Sequence, residues 1–110
     1  MSKRLPKLYL EDILTALSEI EEFVKGMSQK DFESDRKTMH AVVRNIEIIG
    51  EAARNLPEDF VNKHPELPIH EMITMRNRVV HEYFGIDLNI LWQTIVGDLP
   101  QLKKQIKDLV

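Results

Sequence analysis

The stretch of residues 75–84 constrains this chain most, because it places a charged side chain on the apolar face of a predicted helix. At about 100° per residue, Met72, Val79 and Val80 share one broad face, and Arg76 falls near its middle. A guanidinium cannot lose its charge, and burying it without a partner is costly. Arg76 is therefore expected either to pair with a carboxylate inside the protein or to line a wet cleft.

The apolar residues around this stretch repeat at intervals of three and four, and no alternation typical of strands is present. This pattern predicts an all-α fold, an antiparallel bundle of four to five helices. Glycine and proline are scarce and fall between the periodic segments, with Gly26 as a stop signal and Asp87 as an N-cap. Pro100 should kink or split the last helix near Gly97-Asp98. The predicted long helices are 8–24, 34 or 35–55, 68 or 69–85 and 88–109, with short helical turns at 28–32 and 58–63.

The second long helix is apolar on two sides. Besides its main face, Ala41, Ile48 and Ala52 form a smaller strip nearly opposite. Such a helix is either central to the bundle or shared with a second subunit, and in so small a chain a dimer contact is favoured. Gly50 would allow another helix to approach closely. Glu47 and Glu51 lie one turn apart near the edge of the main face. They are the two candidate carboxylate partners of Arg76.

Composition limits the function classes. At 110 residues with 43% hydrophobic and 30% charged residues, residues 1–110 are expected to form a single globular domain. The chain has no cysteine, which excludes thiol and zinc-finger chemistry and favours a cytoplasmic setting. No uncharged run is long enough for a membrane span. A net charge of -3 argues against indiscriminate nucleic-acid binding but allows a local phosphate site.

No metal or cofactor is expected. The four histidines form no HxxxH pair, and His70 and His81 would be about 16 Å apart along one helix. Gly-rich nucleotide loops and nucleophile motifs are also absent from the sequence. The remaining polar cluster contains arginine and histidine, which suit metal-free cleavage of a phosphodiester. In RNA the 2′-hydroxyl can serve as the nucleophile. The plainer interpretation is a salt bridge and a surface histidine.

Helix geometry adds a constraint on such chemistry. Arg76 and His81 are separated by roughly 140° around a helix, so they do not face the same point. A two-fold dimer could set two copies of this helix across one cleft, so that each scissile phosphate meets residues of both subunits.

The order and spacing of these residues resemble a known family. Arg76-x4-His81-x-Tyr83 is similar to the Arg-x4-His-x-Tyr signature of the HepT-like branch of the HEPN superfamily. The similarity extends over nearly the whole chain, through the segments 10–14, 35–38, 46–53, 75–77, 81–85 and 87–100.

The resemblance implies a dimeric helical bundle that acts as the ribonuclease toxin of a two-gene toxin–antitoxin system and needs no metal. Its partner would be a minimal nucleotidyltransferase that transfers AMP from ATP to Tyr83 and thereby blocks the site. Arg76 and His81 would be catalytic. Asn77 is the polar residue commonly beside the arginine, and Arg78, which matches no signature position, is a candidate phosphate contact.

Two other interpretations compete with this one. The first is a non-catalytic helical module that pairs with a nucleotidyltransferase or binds nucleotide, with Arg76 held structurally by Glu47 or Glu51. The second is an interaction domain without a site, in which Arg76 and His81 lie in unrelated places.

Overall fold

The computed structural model describes residues 4–85 and 87–110, and the side chains of residues 82–85 lie outside that description. All regular secondary structure of the described residues is helical, which confirms the predicted all-α fold. The principal extents are 42 × 25 × 25 Å. In chain order the helices are α1 (Pro6–Val24), α2 (Gln29–Glu33), α3 (Arg36–Asn55), α4 (Glu58–Lys63), α5 (Ile69–Gly85), α6 (Leu88–Gln93), a π-helical segment (Thr94–Asp98) and α7 (Leu99–Lys107).

Local signals explain where several helices begin and end. Pro6 occupies the first turn of α1, where its missing N–H has no helical partner to lose. Gly26, with φ of 78°, reverses the chain after α1. Ser28 and Asp31 form a reciprocal capping box on α2, and the Asp87 carboxylate accepts from the Ile90 N–H at 3.3 Å. The predicted stop at Gly26 and the predicted N-cap at Asp87 are thus confirmed.

Asp35 begins α3. Its carboxylate accepts from the Thr38 N–H at 3.0 Å and from the Thr38 hydroxyl at 2.8 Å. The backbone hydrogen bond from Thr38, followed by the hydroxyl hydrogen bond, lowers the pKa of Asp35 below its ordinary value. The carboxylate thus stays charged at the N-terminus of the helix that carries most of the packing.

The core is organised around α3, which packs against α1 on one side and α5 on the other. The α2 and α6 helices close one end, where the buried Phe32 ring lies 5.4 Å from the Trp92 ring. Lys103 of α7 pairs with Glu21 of α1 at the surface. Fully buried aliphatic side chains from the main stripes fill the interior, including Leu10, Ile13, Leu17, Ile20, Val42, Ile46, Ile49, Met72, Val79, Leu91 and Ile106.

The last helical run differs from the prediction. Instead of breaking near Gly97-Asp98, the chain changes to π-helical hydrogen bonding, and the Leu99 N–H donates to the Thr94 carbonyl. The Thr94 hydroxyl donates back to the Ile90 carbonyl at 2.9 Å. Pro100 lacks an N–H, and a wider turn before it leaves room for its ring without ending the helix. The proline signal therefore marked the position of the irregularity but not its form.

The second apolar strip on α3 is largely covered by this chain's own packing. Ala52 is buried, and Ala41 and Ile48 are half-buried. The central position of α3 between α1 and α5 explains why it is apolar on two sides. The strip therefore does not by itself require a second subunit, and the dimer contact favoured there stays a prediction.

Gly50 lies where α3 and α5 come closest. A Cβ atom built on Gly50 would lie 2.6 Å from both Cβ and Cγ of Arg76. These two atoms are held near the α5 backbone and cannot swing away as the end of a flexible side chain can. The two helices can therefore approach this closely only with glycine at position 50.

Across the described residues, no helix is both long and apolar enough to cross a membrane.

Replacing Gly50 by alanine is expected to force α3 and α5 apart. We expect Gly50→Ala to lower the free energy of unfolding by about 1–3 kcal/mol, the usual cost of overpacking a well-packed contact. Chemical denaturation followed by circular dichroism measures this change.

Gly97→Ala is the matched control, since a Cβ at position 97 would meet nothing within 4 Å. Removing a helical glycine there should leave stability unchanged or raise it by up to about 1 kcal/mol. Equal effects of the two substitutions would contradict the close approach at Gly50.

Candidate functional site

Arg76 crosses from the α5 side toward α3, passing over Gly50. One guanidinium nitrogen lies 3.7 Å from the Glu47 carboxylate, and the other donates to the Asn77 side-chain oxygen at 3.1 Å. About a third of each side chain is exposed, 33% for Arg76 and 35% for Glu47. Arg76 is thus paired with a carboxylate and also partly exposed to solvent. The sequence left these two arrangements open as alternatives, and the structure combines them.

The two candidate carboxylates behave differently. Glu47 takes part in the ion pair with Arg76, whereas Glu51 accepts a hydrogen bond from the Asn55 amide at 3.3 Å. Glu51 lies on the same side of α3, one turn further along, and borders the same groove. The structure therefore separates a carboxylate that contacts the guanidinium from one that faces the space beside it.

That space is a groove of about 290 Å³ between the start of α1 and the exposed edge of α3. Arg76 borders it. The groove is lined by three arginines, three carboxylates, an amide, a tyrosine and two apolar side chains, which are Arg4, Tyr9, Asp12, Arg44, Glu47, Ile48, Glu51, Ala52, Asn55 and Arg76.

The α1 side of the groove is held by one charged cluster. Arg4 donates to the Asp12 carboxylate at 2.6 Å, and its guanidinium carbon lies 4.9 Å from the centre of the Tyr9 ring. The hydrogen bond from Arg4 to Asp12 is the main cause that raises the pKa of Arg4 above its ordinary value. Sequence reasoning missed Arg4, Tyr9 and Asn55, because no local pattern links the start of α1 to the end of α3.

His81 is exposed on α5, five positions after Arg76. The half-buried Arg76 packs on α3, while the His81 side chain faces outward, in keeping with their separation of roughly 140° around the helix. Burial and helix spacing therefore place these two side chains on different sides of α5 within one copy of the chain.

Asn77 and Arg78 also separate. Asn77 accepts from Arg76 and so belongs to the edge of the Arg76 site. Arg78 pairs with Asp98 at 3.2 Å and borders a different groove of about 550 Å³, which lies between α5 and α7. The structure therefore brings Asn77, but not Arg78, to Arg76.

Tyr83 lies in the last turn of α5, but its side chain is outside the described residues. Its predicted role is not addressed by this geometry. In the described part of the chain, no group of three or more histidine or carboxylate side chains could hold a metal ion.

Comparison with known proteins gives a consistent answer. The model of the family "Ribonuclease HepT-like" matches residues 13–109. A protein of Thermococcus cleftensis named "Probable ribonuclease HepT" is 49% identical over 107 residues, which cover 97% of each chain. A "Putative RNase" of Caldanaerobacter subterraneus subsp. tengcongensis is 45% identical and covers 96% of this chain and 94% of the relative.

A "Putative RNase" of Methanocaldococcus jannaschii is 39% identical over 110 residues, covering 100% of this chain and 91% of the relative. No solved structure matches the chain significantly. The match of the family model over most of the helical bundle, together with these relatives, shows that the chain belongs to the HepT-like ribonuclease family.

Proposed function

We propose that this chain is an endoribonuclease that needs no metal and acts as the toxin of a two-gene toxin–antitoxin system. The observation that carries the proposal is Arg76, a paired but one-third exposed cation at the border of a groove. On the same helix, His81 is exposed. Membership of the HepT-like ribonuclease family supports RNA as the substrate.

The reaction uses the 2′-hydroxyl of RNA. His81 accepts the 2′-hydroxyl proton, the 2′ oxygen bonds to phosphorus, and the bond from phosphorus to the 5′ oxygen breaks. A proton returned to that oxygen leaves a 5′-hydroxyl and a 2′,3′-cyclic phosphate. Arg76 stabilises the negative charge that develops on the phosphoryl oxygens, and no metal is needed for any of these transfers.

Glu47 is a positioning residue in this scheme. It contacts the Arg76 guanidinium at 3.7 Å from the α3 side, while Gly50 lets the stem of Arg76 lie against α3. Asn77 supports the other guanidinium nitrogen. Arg78, which faces the other groove, would contact RNA phosphates only at a distance from this centre.

A homodimer would complete the site. Arg76 and His81 point in different directions on one helix, so one copy does not supply both to the same phosphate. A two-fold axis beside α5 would place His81 of one copy near Arg76 of the other. The support for a dimer is this divergence, not the apolar strip on α3.

Regulation would come from a minimal nucleotidyltransferase as antitoxin. In that reaction the Tyr83 phenolic oxygen bonds to the α-phosphorus of ATP, pyrophosphate leaves, and the phenol proton is lost. The added phosphate is negative and the adenosine is bulky. Two turns from Arg76, they would neutralise the cation and repel the RNA backbone.

A non-catalytic module that binds a nucleotidyltransferase is the second candidate, and the ion pair of Arg76 with Glu47 favours it, since such a pair could be purely structural. The long separation of 3.7 Å and the exposure of both groups leave the guanidinium accessible to a ligand. Activity measurements distinguish the two candidates.

The purified chain is expected to cleave RNA in the presence of EDTA. His81→Ala should slow cleavage by about 10²–10⁴-fold, the usual contribution of general acid–base catalysis. Arg76→Ala should slow it by about 10²–10³-fold through loss of charge stabilisation. Gel analysis of a labelled RNA measures both rates, and the products should carry cyclic phosphate ends.

His70→Ala is the matched control, because His70 is also an exposed histidine of α5. It should cleave at the wild-type rate. Cleavage that persists unchanged in His81→Ala and Arg76→Ala would mean that another protein in the sample is responsible.

Incubation with ATP and a minimal nucleotidyltransferase, the proposed antitoxin, is expected to add AMP units to the chain. Intact-mass spectrometry should show the additions on the wild type and none on Tyr83→Phe, and the modified chain should lose RNA cleavage.

Tyr9→Phe is the control, since the sequence has two tyrosines. The additions should remain on this variant. Additions that persist on Tyr83→Phe, or none on the wild type, would refute the proposed regulation while leaving the ribonuclease activity in place.

A further inference from the structure

The groove beside Arg76 has a composition that phosphate binding alone does not explain. Its lining contains three arginines and three carboxylates, so its formal charge is balanced. A track for phosphates would carry an excess of cations. Carboxylates, an amide and an aromatic ring in one small groove are instead typical of sites that read the edge and face of a nucleobase.

The α3 wall of the groove presents complementary hydrogen-bonding groups. Arg44, Glu51 and Asn55 lie along one side of the helix and border the groove. The Glu51 carboxylate receives a hydrogen bond of 3.3 Å from Asn55, which leaves acceptor capacity unused. In the part of the chain that the structure describes, Arg44 forms no ion pair.

These groups fit guanine better than the other bases. Guanine presents two adjacent donors, the ring N1–H and the N2 amine, to which one carboxylate can accept twice. It also presents the O6 and N7 acceptors that arginine reads. Glu51 and Arg44 are seven residues apart, or about two turns, so a planar purine could lie between them.

The opposite wall offers a surface for the face of the base. Arg4 is held over Tyr9 by its hydrogen bond to Asp12. Bases in RNA complexes stack on arginine guanidinium planes as well as on aromatic rings. Ile48 and Ala52 of α3 add apolar surface to the lining.

We propose that this groove is a guanine-binding subsite for the nucleotide next to the scissile phosphate, with Glu51 as the residue that reads the base. The inference rests on the proposed ribonuclease function, because Arg76 borders the groove and would bring its occupant next to the reacting phosphate. It assigns to Glu51 a role in substrate choice and not in positioning Arg76.

The test compares cleavage of two short RNAs that differ only in carrying guanosine or inosine at the position flanking the cut. Inosine lacks the N2 amine. The wild type should cut the guanosine substrate about tenfold faster, as expected for one charge-assisted hydrogen bond. In Glu51→Gln the preference for guanosine should fall to about twofold or less. The substitution should slow cleavage of the inosine substrate less than it slows cleavage of the guanosine substrate.

Glu19→Gln is the matched control, because it changes the net charge by the same amount as Glu51→Gln. Glu19 is exposed on α1 and borders a different surface. Its preference for guanosine should equal that of the wild type. A preference that survives in Glu51→Gln, or a wild type that cuts RNA without favouring guanosine, would overturn the subsite while the ribonuclease function stands.

A second measurement does not depend on cleavage. Titration of the wild type with guanosine 5′-monophosphate should shift the backbone NMR signals of residues 44–55, and inosine 5′-monophosphate should bind about tenfold more weakly. Equal binding of the two nucleotides would overturn the proposal.

Two further outcomes separate the alternatives. A chain that selects guanosine monophosphate in this groove but never cuts RNA would contradict the proposed function and not the subsite. A change of oligomeric state in Glu51→Gln, measured by light scattering, would assign the groove to contact between copies of the chain and overturn the proposal.

Discussion

The close approach of α3 and α5 at Gly50 is the contact on which the candidate site depends. Any side chain at position 50 would collide with the Cβ and Cγ atoms of Arg76, so the stem of this arginine lies directly against the central helix. Its guanidinium is thereby carried to Glu47 and to the edge of the groove. An ion pair that is one-third exposed contributes little stability on its own, so helix packing, rather than the ion pair, decides where the charge lies.

Because of this packing, the polar side chains of α5 point in three different directions. Arg76 faces α3, Arg78 faces Asp98 across another groove, and His81 faces outward. A compact cluster in the sequence is therefore not a compact cluster in one copy of the chain. In the proposed catalysis by Arg76 and His81, a second copy of α5 would supply the residue that faces away in the first copy.

Charge balance gives the groove a different character from a general nucleic-acid surface. The chain has a net charge of -3, and the groove lining contains as many carboxylates as arginines. Long-range attraction of RNA would be weak under these conditions. Hydrogen bonds to particular bases would then contribute more to substrate choice, which agrees with a selective nuclease.

The sequence by itself determined the helical fold, most helix ends and the exceptional position of Arg76, because helical periodicity and capping are local properties. It also indicated the family through Arg76, His81 and Tyr83. The tertiary structure decided three features that periodicity does not predict. Glu47 rather than Glu51 is the partner of Arg76, and Ala52 is buried within the chain. Arg4 and Tyr9 line one groove with the end of α3. The physical reason is that contacts between helices depend on how closely and at what register two helices approach, and at Gly50 the missing Cβ atom allows the close approach.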